Sequence, residues 1–225
     1  MKKPNINWNE IDNVILDMDG TLLDLNFDNQ FWLHHVPVCH ARRHGISKQA
    51  SLDIILPRMQ KVRGSLDWYD IHYWSRELGL DILTLKQDLV NLIKIRPGVH
   101  EFLNALREQN KTVWLATNAH HETIPVKLDR TDLWSYFHQI ISSSEVGFAK
   151  ESTNFWYHVN KRHPFNPQKS VFIDDNLAVL RVAKRYGVRH LLAIGRPDLS
   201  GEELIQNEFP TVDHFHEITP LPNRP

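Results

Sequence analysis

The feature that most constrains the fold is a regular alternation of short β-rich runs with longer helical patterns. The β-rich runs cover residues 14–17, 112–117, 139–142, 170–174 and 190–194. Between them, residues 97–110 place Val99, Phe102, Leu103 and Leu106 at i, i+3, i+4 and i+7, which is the spacing of one apolar helix face. Strands that alternate with helices indicate a parallel sheet covered on both faces. The sequence therefore predicts an α/β fold.

One long interval interrupts this alternation. Residues 27–95 contain no convincing strand and instead show helical patterns at 31–44, 48–62, 68–78 and 83–93, with Pro57 expected to break or kink the second. The interval is too long for a loop. We therefore predict an inserted all-helical domain at 27–95 and a discontinuous α/β core formed by 1–26 and 96–225. The proline-rich stretch after Ile194 is expected to be a closing segment with a frayed end.

Composition excludes some classes of protein. Lysine and arginine total 26 against 27 aspartate and glutamate, whereas binding to nucleic-acid polymers depends on clustered cationic charge. No apolar run approaches the roughly 20 residues of a membrane-spanning helix. The polar residues after Met1 lack the apolar stretch of a secretory signal, and the single cysteine, Cys39, cannot form an intrachain disulfide. We expect a cytoplasmic protein that binds neither nucleic-acid polymers nor membranes.

Polar side chains follow several of the predicted strands at the point where each strand ends. They are Asp17 and Asp19 in Asp17-Met18-Asp19-Gly20-Thr21, Thr117 and Asn118, and Asp174 with Asp175, while Lys150 follows the third strand by several residues. Ligand sites in open α/β sheets lie outside the carboxyl ends of the strands. These residues are therefore expected to meet in one crevice.

The residue types in that crevice indicate phosphoryl transfer to water. Carboxylates from two strands are suited to a hard divalent cation such as Mg²⁺, which is often shared with a phosphate. A lysine, a hydroxyl and backbone N–H groups are suited to phosphate oxygens. One carboxylate can act as a nucleophile and a neighbour can transfer the proton. Asp24 and Asp28, just beyond the first pair, are expected to serve as cap or turn residues, although either could line the site.

In these motifs the sequence resembles the haloacid dehalogenase superfamily, whose members have a Rossmann-like core. The resemblance implies that Asp17 is the nucleophile and a metal ligand, and that Asp19 is the general acid/base and offers its backbone carbonyl to Mg²⁺. It also implies that Thr117, the backbone of Asn118 and Lys150 bind the phosphate, that Asp175 is the main late metal ligand, and that Asp174 is a second or water-mediated one. A carboxylate at position 19 is typical of the superfamily's phosphatases and phosphomutases rather than its dehalogenases.

Over most of its length the chain also resembles the purine nucleotidases of this superfamily. This resemblance implies hydrolysis of the small phosphate monoesters GMP and IMP through an aspartyl-phosphate. The alternatives are a phosphatase or phosphomutase that acts on a sugar phosphate or phosphoglycolate, and a non-catalytic nucleotide-binding module. In the superfamily, an insertion at this place forms a cap over the leaving group.

The sequence does not assign a single role to two groups of side chains, the aromatic residues of the insertion and the histidines. Trp68, Tyr69, Tyr73 and Trp74 are predicted to share one helix of the insertion, where they either stack on a base or pack the helices together; packing is the expectation for each ring. Histidines occur at 34, 35, 40 and 44 and at 120 and 121. The first group is expected to lie on a solvated helix face rather than to bind a metal, and His120 lies beside the predicted phosphate loop.

Overall fold

The computed structural model describes residues 4–221 and confirms the α/β fold class. Six strands form one parallel sheet in the order β3-β2-β1-β4-β5-β6. The strands are β1 (Asn13–Leu16), β2 (Thr112–Thr117), β3 (Gln139–Ser142), β4 (Ser170–Asp174), β5 (His190–Ile194) and β6 (Thr211–Val212). The direction of strand addition reverses between β1 and β4, and crevices for ligands form at such points.

The predicted helical segments at 48–62 and 97–110 each contain one helix. The helices are α1 (Asn26–Gln30), α2 (Val36–His44), α3 (Lys48–Val62), α4 (Leu66–Tyr69), α5 (Ile71–Leu78), α6 (Ile82–Gln87), α7 (Val99–Glu108), α8 (Ile124–Thr131), α9 (Ser143–Val146), α10 (Thr153–Arg162) and α11 (Leu177–Tyr186). A π-helical turn at Phe31–His35 joins α1 to α2. Among residues 4–221, no helix has both the length and the apolar character to cross a membrane.

Alternation along the central strands produces a hydrophobic core on each face of the sheet. In β4, Val171 and Ile173 lie in one core and Phe172 in the other. The apolar faces of α7 and α8 cover the first core, whereas α10 and α11 cover the second. Because successive strand side chains point to opposite faces, a nearly continuous apolar strand can supply both cores.

The inserted segment, defined as residues 27–95, contains α2 to α6 and has its own hydrophobic cluster, which includes Phe31, Ile55, Trp74 and Leu78. Its two ends pack with the sheet instead, since Phe27 and Ile93 belong to the first sheet core. The boundaries at 26/27 and 95/96 remain predictions.

Three details of the inserted segment differ from the predictions. α3 continues through Pro57, which removes the N–H partner of the Asp53 carbonyl. Both residues are exposed, so water can hydrogen-bond to that carbonyl. Residues 68–78 do not form one helix, because Asp70 is extended and its carboxylate caps α5 by accepting the His72 N–H. The predicted helix at 83–93 is only α6 followed by a 3₁₀ turn at Val90–Leu92.

The segment after Ile194 is more structured than predicted. Thr211 and Val212 form β6 at the edge of the sheet, and Phe215 is buried in the first core. A two-residue strand that follows Pro210 is too short to show a periodic pattern, which explains why it was not predicted. The end that was expected to fray, including Pro222 and Pro225, lies outside the described residues.

The separate core of the inserted segment predicts a large difference between two leucines in its helices. Leu78 is 1% exposed at the end of α5, whereas Leu56 is 45% exposed on α3. Leu78→Ala should lower the free energy of unfolding by about 2–5 kcal/mol because it leaves a cavity. Leu56→Ala should lower it by less than about 1 kcal/mol. Urea denaturation of both variants measures the difference, and equal losses would contradict this packing.

Candidate active site

The reversal point of the sheet brings three carboxylates together. Asp17 directly follows β1, and its N–H donates to the carbonyl of Ile173 in β4 at 3.0 Å. This pairing places Asp17 beside Asp174 and Asp175, and one carboxylate oxygen of each of the three lies within 4.8 Å of the others. The structure therefore brings together the two acidic motifs that the sequence separates by more than 150 residues.

Lys150 lies between two of these carboxylates. Its Nζ is 2.5 Å from Asp17 Oδ1 and 2.7 Å from Asp174 Oδ2, and it also donates to the Ala116 carbonyl at 3.0 Å. The side chain is 2% exposed. Burial disfavours the charged ammonium, but the two carboxylates outweigh burial and raise the pKa of Lys150 above its ordinary value. Lys150 is therefore a fixed cation at the centre of the site.

One lysine does not neutralise three carboxylates. Burial raises the pKa of Asp17 to about 6, although Lys150 opposes this shift and Asp174 adds to it. Burial and repulsion from Asp174 also raise the pKa of Asp175 well above its ordinary range. When all three acids are ionised, this group carries two uncompensated negative charges. Oxygen ligands with that charge fit a hard divalent cation such as Mg²⁺.

The turn after β1 depends on a glycine. Gly20 has a φ of +80°, and a Cβ at this position would lie 2.6 Å from Asp175 Oδ2. Both the backbone conformation and the close approach of Asp175 exclude a larger residue. Asp19, two residues after Asp17, lies at the same end of the sheet.

A second lysine, Lys127 of α8, holds Asp19. Its Nζ is 2.6 Å from Asp19 Oδ1 and 2.7 Å from Asp28 Oδ2, and its side chain is 2% exposed. Asp28 in turn accepts from Lys86 of α6 at 3.1 Å. The network Asp19–Lys127–Asp28–Lys86 therefore extends from the site into the inserted segment.

The network corrects the expected role of Asp28 as a cap or turn residue. The prediction for Asp24 is confirmed, since its Oδ1 accepts the backbone N–H groups of Asn26 and Leu199. The sequence analysis missed Lys127 entirely. A signal was present: Ile124, Lys127, Leu128 and Thr131 have the i, i+3, i+4, i+7 spacing of a buried helix face, on which a lysine needs an acidic partner.

Asn118 fastens the lysine-bearing loop to the end of β2. Its Oδ1 accepts the Lys150 N–H at 2.9 Å, and its Nδ2 donates to Glu151 Oε2 at 2.9 Å. Thr117 is buried, and its Oγ1 accepts the Ala119 N–H at 3.0 Å. These contacts use the side chain of Asn118 for positioning, which leaves its backbone N–H as the group suited to an anion.

Tyr69 is the aromatic residue that joins the inserted segment to this site. Its hydroxyl donates to Glu151 Oε1 at 2.6 Å, next to Lys150 in the chain. Burial and the Glu151 carboxylate raise the pKa of Tyr69, so its hydroxyl keeps its proton. By contrast, Trp68, Tyr73 and Trp74 pack within the cluster of the inserted segment, as expected. Glu151 is a further residue that the sequence analysis missed.

The expected solvated face of histidines is only partly present. His40 is buried, and its Nδ1 lies 2.9 Å from the hydroxyl of Ser51. Its ring is 4.4 Å from that of His44, so the two do share a helix face. Within residues 4–221, the groups suited to hold a metal are the three carboxylates described above and a set formed by His72, His120 and Glu122.

Comparison with known proteins shows which family the chain belongs to. The model of the haloacid dehalogenase-like hydrolases matches residues 11–187. The chain belongs to this family. A haloacid dehalogenase-like phosphatase from Thermococcus onnurineus has the same fold, with a TM-score of 0.78 and 22% identity over 92% of this chain and 96% of that one.

Two curated relatives of this family member are phosphatases. The chain is 34% identical to the GMP/IMP nucleotidase YrfG of Escherichia coli (strain K12), over 96% of this chain and 97% of the relative. It is 23% identical to the phosphorylated carbohydrates phosphatase of Thermotoga maritima, over 86% of this chain and 89% of the relative. This haloacid dehalogenase-like hydrolase is accordingly a phosphoric monoester hydrolase.

The buried network predicts that Lys127 is essential to the site. Lys127→Met leaves the carboxylates of Asp19 and Asp28 without their shared cation. It should lower the free energy of unfolding by about 3–5 kcal/mol and lower kcat by about 100-fold or more, since it displaces Asp19, the residue predicted to transfer the proton. Lys127→Arg should retain part of the stability and part of the activity, because it keeps the positive charge. These quantities are measured by urea denaturation and by phosphate release.

A matched control for this prediction is Lys169→Met. Lys169 forms an exposed ion pair with Asp12, and such pairs contribute at most about 1 kcal/mol. A Lys127→Met variant as stable and active as Lys169→Met would contradict the role of the network.

Proposed function

We propose that this phosphatase hydrolyses purine nucleoside 5′-monophosphates, GMP and IMP, with Mg²⁺ and through an aspartyl-phosphate at Asp17. The observation that carries the chemistry is the position of Asp17, at the end of β1 with Lys150 at 2.5 Å and Asp174 and Asp175 beside it. The substrate class rests on the 34% identity to the Escherichia coli GMP/IMP nucleotidase over nearly the whole of both chains.

Asp17, Asp174 and Asp175, with the backbone carbonyl of Asp19, would hold the Mg²⁺ ion. The fit is supported by the three carboxylate oxygens within 4.8 Å of one another and by the excess of negative charge over Lys150. When bound, Mg²⁺ supplies positive charge that offsets these carboxylates and the phosphate oxygens.

In the first step, Asp17 attacks the phosphorus of the substrate. A bond forms between its carboxylate oxygen and phosphorus, and the bond between phosphorus and the ester oxygen breaks. Asp19 donates its proton to the departing oxygen, which leaves as the nucleoside hydroxyl. Lys150, Thr117 and the Asn118 N–H stabilise the phosphoryl oxygens during this transfer.

In the second step, water attacks the phosphorus of the aspartyl-phosphate. Asp19, now ionised, accepts a proton from the water, and the bond between phosphorus and the Asp17 oxygen breaks to release phosphate. Burial raises the pKa of Asp19 to about 6, while Lys127 opposes the shift. A pKa near neutrality allows one carboxyl group to serve first as acid and then as base.

The inserted segment would cover the leaving group. Tyr69 already brings it against Glu151, and its Asp28 accepts from Lys127 of α8 in the core. Closure over the site excludes water and strengthens the electrostatic interactions within it.

The second candidate is a phosphatase of sugar phosphates, which the 23% identity to the Thermotoga maritima phosphorylated carbohydrates phosphatase supports. Its chemistry would be the same and only the leaving group would differ. A phosphomutase would instead return the phosphoryl group to a sugar and release an isomer without free phosphate.

A phosphate-release panel distinguishes these candidates. With Mg²⁺, kcat/KM for GMP and IMP should exceed that for sugar phosphates and phosphoglycolate by at least about tenfold, which corresponds to about 1.4 kcal/mol. Asp17→Asn should abolish release from every ester, because it removes the nucleophile. A preference for sugar phosphates would overturn the substrate class alone, whereas an active Asp17→Asn variant would overturn the chemistry.

Binding of Mg²⁺ should depend on pH in a defined direction. The pKa of Asp17 in the folded protein is about 6, above its ordinary value of 3.8. Below this pKa a proton occupies the carboxylate and competes with the cation. The rise in Tm on adding Mg²⁺ should therefore be larger at about pH 7.5 than at about pH 5.

Two variants test where the cation binds. Asp175→Asn should remove most of the Mg²⁺-dependent rise in Tm, whereas Asp12→Asn, at the opposite end of β1 and exposed, should retain it. A rise in Tm that is independent of pH, or is unchanged in Asp175→Asn, would place Mg²⁺ elsewhere.

A further inference from the structure

A second set of potential metal ligands lies between the inserted segment and the sheet. His72 belongs to α5, whereas His120 and Glu122 follow β2. One ligand atom of each lies within 4.8 Å of those of the other two. None of the three is a member of the Asp17 group, and the hydrolytic steps proposed above use none of them.

The distances in this set are close to those of a zinc site. His72 Nε2 is 2.7 Å from Glu122 Oε1, and His120 Nδ1 is 3.9 Å from the same oxygen. Adjacent ligand atoms in a tetrahedral zinc site are about 3.3 Å apart, given metal–ligand bonds of about 2.0–2.1 Å. The two observed distances bracket this value, and the two imidazole nitrogens lie within 4.8 Å of each other.

His120 is buried without a short hydrogen bond. Its side chain is 8% exposed, and its Nδ1 accepts only a long hydrogen bond from the Glu122 N–H at 3.4 Å. Its Nε2 is 3.9 Å from Asp70 Oδ1. A buried imidazole normally has a closer partner, and a metal ion would supply one.

We propose that His72, His120 and Glu122 form a second metal site, which binds Zn²⁺ and fastens the inserted segment to the loop after β2. Two imidazoles and one carboxylate are an accepted zinc ligand set, and the fourth position remains open to water. Mg²⁺ is excluded from this site by its preference for oxygen ligands.

The location gives the site a consequence for the enzyme. His120 lies two residues after Asn118, and His72 lies three residues after Tyr69. Zinc bound here would hold α5 against the phosphate-binding loop. If the segment must move for substrate to enter or product to leave, zinc lowers kcat by holding it in place.

Equilibrium dialysis against Zn²⁺, in a large excess of Mg²⁺, tests the proposal. The wild-type protein should bind one more zinc ion than His72→Ala, and Glu122→Gln should bind zinc at this site at least about 100-fold more weakly than the wild type. His72 is half-exposed, so its replacement should not unfold the protein. His100→Ala removes an exposed histidine of α7 and should bind zinc as the wild type does.

Cobalt gives a second readout that reports the ligand geometry. Co²⁺ bound by the wild type should show the intense visible absorption of four-coordinate cobalt, and His72→Ala should lose it. Equal zinc content in the wild type and His72→Ala, or a cobalt spectrum that the substitution leaves unchanged, would overturn the proposal. Because zinc content is measured without substrate, this result is independent of whether the purine nucleotide assignment holds.

Discussion

The ammonium group of Lys150, held between Asp17 and Asp174, is the interaction on which the rest of the site depends. Three carboxylates at the end of two adjacent strands, two of them buried, would repel one another strongly without it. The strand order places β1 beside β4, and this adjacency brings the acids together. Asn118 then fixes the backbone of Lys150, so that the lysine is positioned by β2 as well as by its charges. The remaining negative charge fits the divalent cation proposed for the site.

A second lysine repeats this arrangement two residues further along the chain, at Asp19. Lys127 holds Asp19, and Asp28 links Lys127 to Lys86 in the inserted segment. The proposed nucleophile and the proposed proton donor thus each have their own buried cation. Because Lys86 belongs to α6, the position of the inserted segment acts directly on the charges that hold Asp19. Closure of the inserted segment over the substrate and proton transfer by Asp19 would therefore be coupled through one ionic network.

Sequence reasoning recovered the sheet and both acidic motifs because their signals are local. An apolar strand that ends in Asp17-Met18-Asp19-Gly20-Thr21 carries its own evidence, and the strand order brings Asp174 and Asp175 to it. Contacts between distant elements were not accessible in this way. The spacing in α8 marks Lys127 as buried, but its acidic partners are fixed only when α8 packs against the site. Glu151 acquires its role only when the loop after α9 is placed there. The break at Asp70 and the two-residue strand β6 depend on a single capping hydrogen bond and on tertiary pairing, which overrule local patterns.

If Asp17 itself attacks the phosphorus, its carboxylate carries a covalent acyl phosphate during turnover, and this intermediate can be trapped. The enzyme is mixed with Mg²⁺ and GMP, quenched in acid during turnover and treated with borohydride, which reduces an acyl phosphate to an alcohol. Peptide mass spectrometry should then find residue 17 converted to homoserine, only when substrate was present. Modification at Asp19 instead would contradict nucleophilic attack by Asp17. An active enzyme that yields no modified residue under conditions that trap a known aspartyl-phosphate would contradict it as well.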